Sequence, residues 1–411
     1  MSGARAGQRL PYLTGDLPGI GGAIKQRWED FRVDELPLYE ACGEGTHVYF
    51  RVVKSGVPTP VAVERIARYM NVRASDIGVA GLKDAQAVTS QLMSIEHADA
   101  ARLAAYRDSQ VRVVWTGRHG NKLRPGLLAG NRFAIRIRGV GQRELARAQA
   151  ILDVLVRRGV PNFFGEQRFG SRQDTGDLGR ALVRNELDEF IAMYLGRAMP
   201  DDPPDCKAAR DAFDGGYMDR AIQCWPRHYS NERKALAAYK KKRRPGAALA
   251  AIDKRMKRFY VSALQSEIFN DVLTRRLDTL DRVLAGDLAQ KTDSNGFFAV
   301  EDPAVEQPRV DAFEISPTGP IVGYRSMLAT LEPGRIEAEA IATSGVSQED
   351  FRHVGSLSAK GSRRALRFAL IAPQLAAGSD EHGPYIEVTF TAPSGCYATV
   401  ALREIMKAGE E

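Results

Sequence analysis

The hydrophobic positions change period several times along the chain, and each change marks an element. Upstream of Lys54 the apolar residues come in short β-branched and aromatic runs, Phe31-Arg-Val33 and His47-Val-Tyr-Phe-Arg-Val-Val53. The turn Cys42-Gly-Glu-Gly45 parts them, so two short strands are expected. Thr59 followed by Pro60 reads as an N-cap and first helical residue, and Val63, Ile66, Ala67 and Met70 then recur at helical spacing for about three turns. A strand around Ile77 to Ala80 is expected to run into Gly81-Leu-Lys-Asp84, with a successor from Gln91 to Ile95. Residues 132–138 alternate strictly, with Phe133, Ile135 and Ile137 on one face and arginines on the other, as a half-buried strand requires. Residues 142–158 read as a helix closed by Gly159, after which Pro161 and Gly165 force a loop.

Beyond that loop the period shifts. Residues 177–353 read as mostly helical, most clearly at Val261, Leu264, Ile268, Val272 and Leu273. After Ser362-Arg-Arg364 the strand pattern returns in Tyr385-Ile-Glu-Val-Thr-Phe390, followed by the turn Pro393-Ser-Gly395 and a helix from Ala398. The expected fold class is α+β. One domain, built on a mixed or antiparallel sheet, occupies 1–176 and 355–411, and a largely helical domain is inserted at 177–354. A chain of 411 residues, 44% of them hydrophobic, can bury two such cores.

Charge matters only through its placement. Lys and Arg total 58 against 51 Asp and Glu, a formal net charge of +7. The surplus gathers in 231–260, where Arg233, Lys234, Lys240, Lys241, Lys242, Arg243, Arg244, Lys254, Arg255, Lys257 and Arg258 face only Glu232 and Asp253. A clustered surplus favours a polyanion, because neutralising phosphates releases counterions. Tyr229, Tyr239, Phe259 and Tyr260 interleave with these charges and either stack on bases or anchor the helices to the core.

Several kinds of chemistry find no support. The six histidines show no zinc-type pairing, and Cys42, Cys206, Cys224 and Cys396 form no Cys-x-x-Cys, so neither a metal centre nor a disulfide framework is expected. Gly165 and Gly170 have phosphate-loop separation, but Ser171 stands where a lysine belongs. Gly19-Ile-Gly21-Gly22 lacks the preceding strand of a dinucleotide turn. With no apolar run of spanning length and no secretory pattern, a soluble protein of the reducing cytoplasm is expected.

Two stretches remain. Gly81-Leu-Lys-Asp-Ala-Gln-Ala-Val-Thr-Ser-Gln91 places a lysine and an aspartate in a turn between strands, where the carboxylate either does chemistry or caps local amides. Pro161-Asn-Phe-Phe-Gly-Glu-Gln-Arg-Phe-Gly170 gathers aromatic rings, an amide and an arginine between glycines, a mixture suited either to a planar base or to packing at a domain junction.

Together these stretches resemble the signatures of the TruD family of pseudouridine synthases, Gly-x-Lys-Asp-x-x-Ala-x-Thr-x-Gln and Asn-x-Phe-Gly-x-Gln-Arg-Phe-Gly. Further similarity runs through Lys25 with Glu29-Asp-Phe31, Gly43-Glu-Gly45 with His47, Lys122-Leu-Arg124, Gly130-Asn131, Phe390 with Pro393-Ser-Gly395, and Arg403-Glu404. The resemblance implies Asp84 as catalytic carboxylate, with Lys25, Asn162, Phe164 and Phe390 binding the substrate. It makes the inserted domain part of an RNA-binding cleft, and Lys83, Arg168, Lys240, Lys241, Lys242, Arg243 and Arg244 are the candidate RNA contacts. The implied reaction isomerises a uridine, typically uridine 13 of transfer RNA, with no cofactor, no metal and no obligate protein partner. The alternatives are the same chemistry on another RNA, or a non-catalytic RNA-binding or folding protein. Ala85 and Gln86 depart from the basic residue that many members carry after the aspartate, and Lys25 and Lys83 compete for the place beside it.

Overall fold

The computed structural model describes residues 10–352, 354 and 357–408, in two compact units. One comprises Tyr12–Val160 with Phe368–Glu411, and the other is essentially Pro161–Arg367. The sequence pattern puts the junctions at 177 and 354. Residues 161–176 instead go with the second unit, because Asn270 grips the Phe164 backbone on both sides and Arg168 bonds to Ser262 and Ser266.

The first unit is organised by an eight-stranded sheet. Its strands are β1 (Phe31–Pro37), β2 (His47–Ser55), β3 (Gly78–Val79), β4 (Val88–Glu96), β5 (Val111–His119), β6 (Leu128–Arg138), β7 (Ile371–Asp380) and β8 (Gly383–Pro393). They lie in the order β7-β8-β6-β1-β4-β2-β5, with β3 added on β4. The β1–β4 pair is parallel and the other pairs antiparallel, so the sheet is mixed, as expected. Val48, Phe50 and Val52 of β2 pack with Ala62, Ile66 and Met70 of the helix Thr59–Met70. Pro58, not Thr59, holds the cap position, which frees the Thr59 hydroxyl for a different task.

Buried polar ties fix the segment that carries Lys25. Glu404, from the helix Ala398–Met406, accepts from Leu13 N, Thr14 N and the Thr14 hydroxyl. Arg138 pairs with buried Asp30 and with Asp380, each at 2.6 Å, and its guanidinium holds the Asp380 carboxyl well below the usual carboxylate range.

In the second unit the helix Lys254–Arg275 is the axis, and all five residues expected on its apolar face are buried. The helical reading of this region omits a four-stranded sheet. Its strands, Ser362–Ala365, Ile315–Ile321, Leu288–Lys291 and Phe297–Ala299, lie in that order. Pro317, Gly319 and Pro320 make Ile315–Ile321 read as a loop. It pairs nonetheless, with Leu288–Lys291 along its first half and with Ser362–Ala365 along its second. Arg363 is buried beneath it. It donates to Thr318 O and Oγ1, to Met327 O and to both oxygens of Glu337.

Candidate active site

Asp84 stands on the loop between β3 and β4, and four side chains fix that loop from below. The Thr59 hydroxyl accepts from Lys83 N (2.9 Å) and donates to Gln91 Oε1 (2.9 Å), while Gln91 Nε2 donates to Gly81 O (3.2 Å). Buried Lys54 donates to Asp84 O at 2.8 Å. Lys83 turns inward, pairing with buried Glu35 at 2.8 Å and donating to Asn131 Oδ1 at 2.8 Å. It is therefore an anchor of the loop and is not available at the surface as an RNA contact.

The carboxylate itself is left outside. Its side chain is 45% exposed, and Lys25 Nζ meets Oδ2 at 2.7 Å. It accepts from no backbone amide among the described residues, so the capping alternative finds no support in the geometry. Lys25, in the left-handed region at φ 58, also lies 4.5 Å above the Phe31 ring. Lys25 rather than Lys83 takes the place beside Asp84. Phe31 meets Phe133 edge-on at 6.4 Å, and Phe133 meets Phe390 at 5.3 Å. Phe390 is only 2% exposed, so it belongs to the floor under Lys25 and offers no open stacking face.

The second signature lies in the other unit. Asn162 is 4% exposed; its Nδ2 donates to Ala365 O (2.9 Å) and its Oδ1 accepts from Arg364. Phe164 packs edge-on against Phe269 at 5.5 Å, with the guanidinium of Arg364 4.5 Å from its ring and that of Arg168 5.5 Å away. Arg168 is engaged with Ser262 and Ser266 and so supports the ring. Arg364 and Asn270 escaped the motif reading because their connections to this segment span long stretches of sequence.

The basic run is at the surface. Lys240, Lys241, Lys242, Arg243 and Arg244, at and just beyond the end of the helix Ser230–Lys242, are all exposed, and Lys240 pairs with Asp219. The neighbouring aromatics serve mainly as anchors: Tyr239 packs on Phe213, Tyr229 on Trp225, and Tyr260 on Phe190 and Tyr194. Replacing the five cations with alanine should weaken RNA binding and lower the slope of log affinity against log salt by up to roughly 3.5 to 4.5, at about 0.7 to 0.9 per lost phosphate contact. An unchanged slope in filter-binding titrations would return the run to a solvated surface. Among the described residues no helix is long and apolar enough to cross a membrane, and no three His, Cys, Asp or Glu side chains are grouped to hold a metal ion.

The whole chain has relatives. It matches the family described as tRNA pseudouridine synthase D (TruD) over residues 9–405. It is 42% identical over 401 residues to the tRNA pseudouridine synthase D of Geobacter metallireducens, covering 97% of this chain and 98% of that one. To the enzyme of the same name from Syntrophotalea carbinolica it is 39% identical over 396 residues, with 96% and 98% covered. A crystal structure from Methanosarcina mazei, described as a putative tRNA pseudouridine synthase D (TruD), superposes with a TM-score of 0.84 at 29% identity, covering 98% of this chain and 97% of that one. With α+β fold, signature segments and relatives in agreement, the chain belongs to the TruD family of tRNA pseudouridine synthases.

Proposed function

We propose that this chain converts uridine 13 of transfer RNA to pseudouridine in the cytoplasm, with Asp84 as the catalytic carboxylate and without metal or organic cofactor. The observation that carries the reading is the Asp84 carboxylate, exposed on a loop tied down from below and paired, among the described residues, with Lys25. The reaction breaks the bond from uracil N1 to ribose C1′, turns the base, and joins C5 to C1′. N1 gains a proton and C5 loses one, so the product is an isomer. A carboxylate can attack or stabilise the sugar or the base while they are apart. Lys25 orients that carboxylate and balances its charge.

The target must leave the stack, at a cost of a few kcal/mol that contacts to the base offset. The resemblance assigns Phe164 to the base, and the ring itself is buried and held in place by Arg364 and Phe269. Asn162, with both amide ends engaged, acts chiefly by fixing that segment. Phe390 acts from beneath, through Phe133 and Phe31.

The test uses purified chain, a transfer RNA transcript tritiated at uridine C5, and mapping of the product. Tritium should be released once per molecule of RNA, from position 13, and chelator-treated protein should keep its full rate. Release from another position or RNA would move the substrate, no release would favour a non-catalytic binder, and rescue of a chelated sample by a divalent ion, with RNA folding controlled, would overturn the cofactor-free mechanism.

A further inference from the structure

Lys54 is a lysine where the strand pattern calls for an apolar residue. It closes the inward row of Val48, Phe50 and Val52 on β2 and is fully buried. Its ammonium donates to Val57 O at 2.7 Å, to Asp84 O at 2.8 Å and to Lys83 O at 3.4 Å. Among the described residues no carboxylate lies within ion-pairing distance of it. Such a cation is costly to bury, and carbonyl oxygens offset only part of the cost.

We propose that Lys54 is a positioning residue for the reaction: its buried ammonium grips the peptide of Asp84 and so fixes where the exposed carboxylate stands. This rests on Asp84 being the catalytic group. Thr59 and Gln91 hold the loop at Lys83 N and Gly81 O, and Glu35 with Asn131 holds the Lys83 side chain. Among the described residues only Lys54 takes hold of the carbonyl of Asp84 itself. Burial pushes the Lys54 ammonium down to about 8, with the charge of Asp84 opposing the shift and that of Lys83 adding to it. From the flanking strands, β4 sets Thr89 and β5 sets Val111 opposite it, neither of them ionisable in this range.

Two consequences have opposite signs. Losing the proton weakens the grip, so the rate should fall as pH rises through about 8. The folded chain binds this proton less tightly than the unfolded chain does, so the destabilising contribution of Lys54 is complete below about pH 8 and fades as pH rises towards the ordinary lysine value of 10.5. A merely structural lysine would move stability and leave the rate alone.

The experiment is Lys54→Met in the full chain, which keeps the length and removes the charge, assayed by single-turnover tritium release from pH 6.5 to 9. At pH 7 the variant should bind transfer RNA normally and react roughly 10- to 100-fold more slowly, as expected for a misplaced reacting group. Its profile should lack the alkaline fall of the parent. A parental rate at pH 7, or the same alkaline fall in both proteins, overturns the proposal. Should the variant fail to fold, the parent decides: a flat rate between pH 7 and 9 overturns it. Asp84→Asn is run beside it. An active Asp84→Asn protein sinks the underlying reading, whereas inactive Asp84→Asn with fully active Lys54→Met sinks only the role of Lys54.

Discussion

Asp84→Asn protein should fold, bind transfer RNA as tightly as the parent, and form no detectable pseudouridine in a single turnover. Asparagine keeps the shape of the side chain and removes its charge and nucleophilicity. The native carboxylate is half out in solvent and meets Lys25, and such exposed pairs contribute about 0 to 1 kcal/mol, so the fold should scarcely register the change. The loop is held through the backbone of Gly81, Lys83 and Asp84, and those bonds survive. The rate should drop on the order of 10⁴-fold or more, the scale seen when an enzyme loses its nucleophile. Tritium release at the parental rate from a folded Asp84→Asn protein would remove Asp84 from the mechanism.

Arg363→Met should be the most damaging single change in the second unit, at about 3 to 5 kcal/mol in the midpoint of chemical denaturation. It leaves the Glu337 carboxylate, 2% exposed, with the Ala329 amide and no cation, and strips Thr318 O and Met327 O of their donor. The damage should spread. Arg363 and Arg364 are neighbours on one strand, and Arg364 with Ala365 O fixes the Asn162 amide. Adding Glu337→Leu should recover part of the loss, since an apolar pair can replace a buried ion pair whereas a lone buried charge is the costly state. Equal stability of the single variant and the parent would show that the pair does not hold this sheet.

The α+β class and the two signature segments were legible because each is local: periodicity names a helix or strand, and a motif occupies a few consecutive residues. Ile371–Asp380 was not, since Pro373, Gly378 and repeated alanines give it little strand propensity and it owes its pairing to β8. The insertion's sheet stayed hidden behind prolines for a similar reason. The fates of Lys25 and Lys83 were not legible either, because Glu35, Asn131 and Phe31 reach them only through the fold. Lys54 did leave a signal. A lysine in register with Val48, Phe50 and Val52 breaks the apolar face of a strand, and such breaks mark functional or strained sites.

The sheet of the first unit has a consequence for how the chain is made. Strand β6 emerges from the ribosome long before its partner β8: Arg136 and Glu387, whose side chains meet across that pair, are 251 residues apart. At ribosomal speeds of about 5 to 20 residues per second, the β6 edge waits roughly 10 to 50 s for its neighbour, time enough for the second unit to fold on its own. Until then the row of Phe133, Ile135 and Ile137 belongs to an open edge, the kind that pairs with other nascent chains. Expression should therefore be most sensitive, through aggregation and not through catalysis, to changes that slow translation between β6 and β8 or weaken the late β6–β8 ladder.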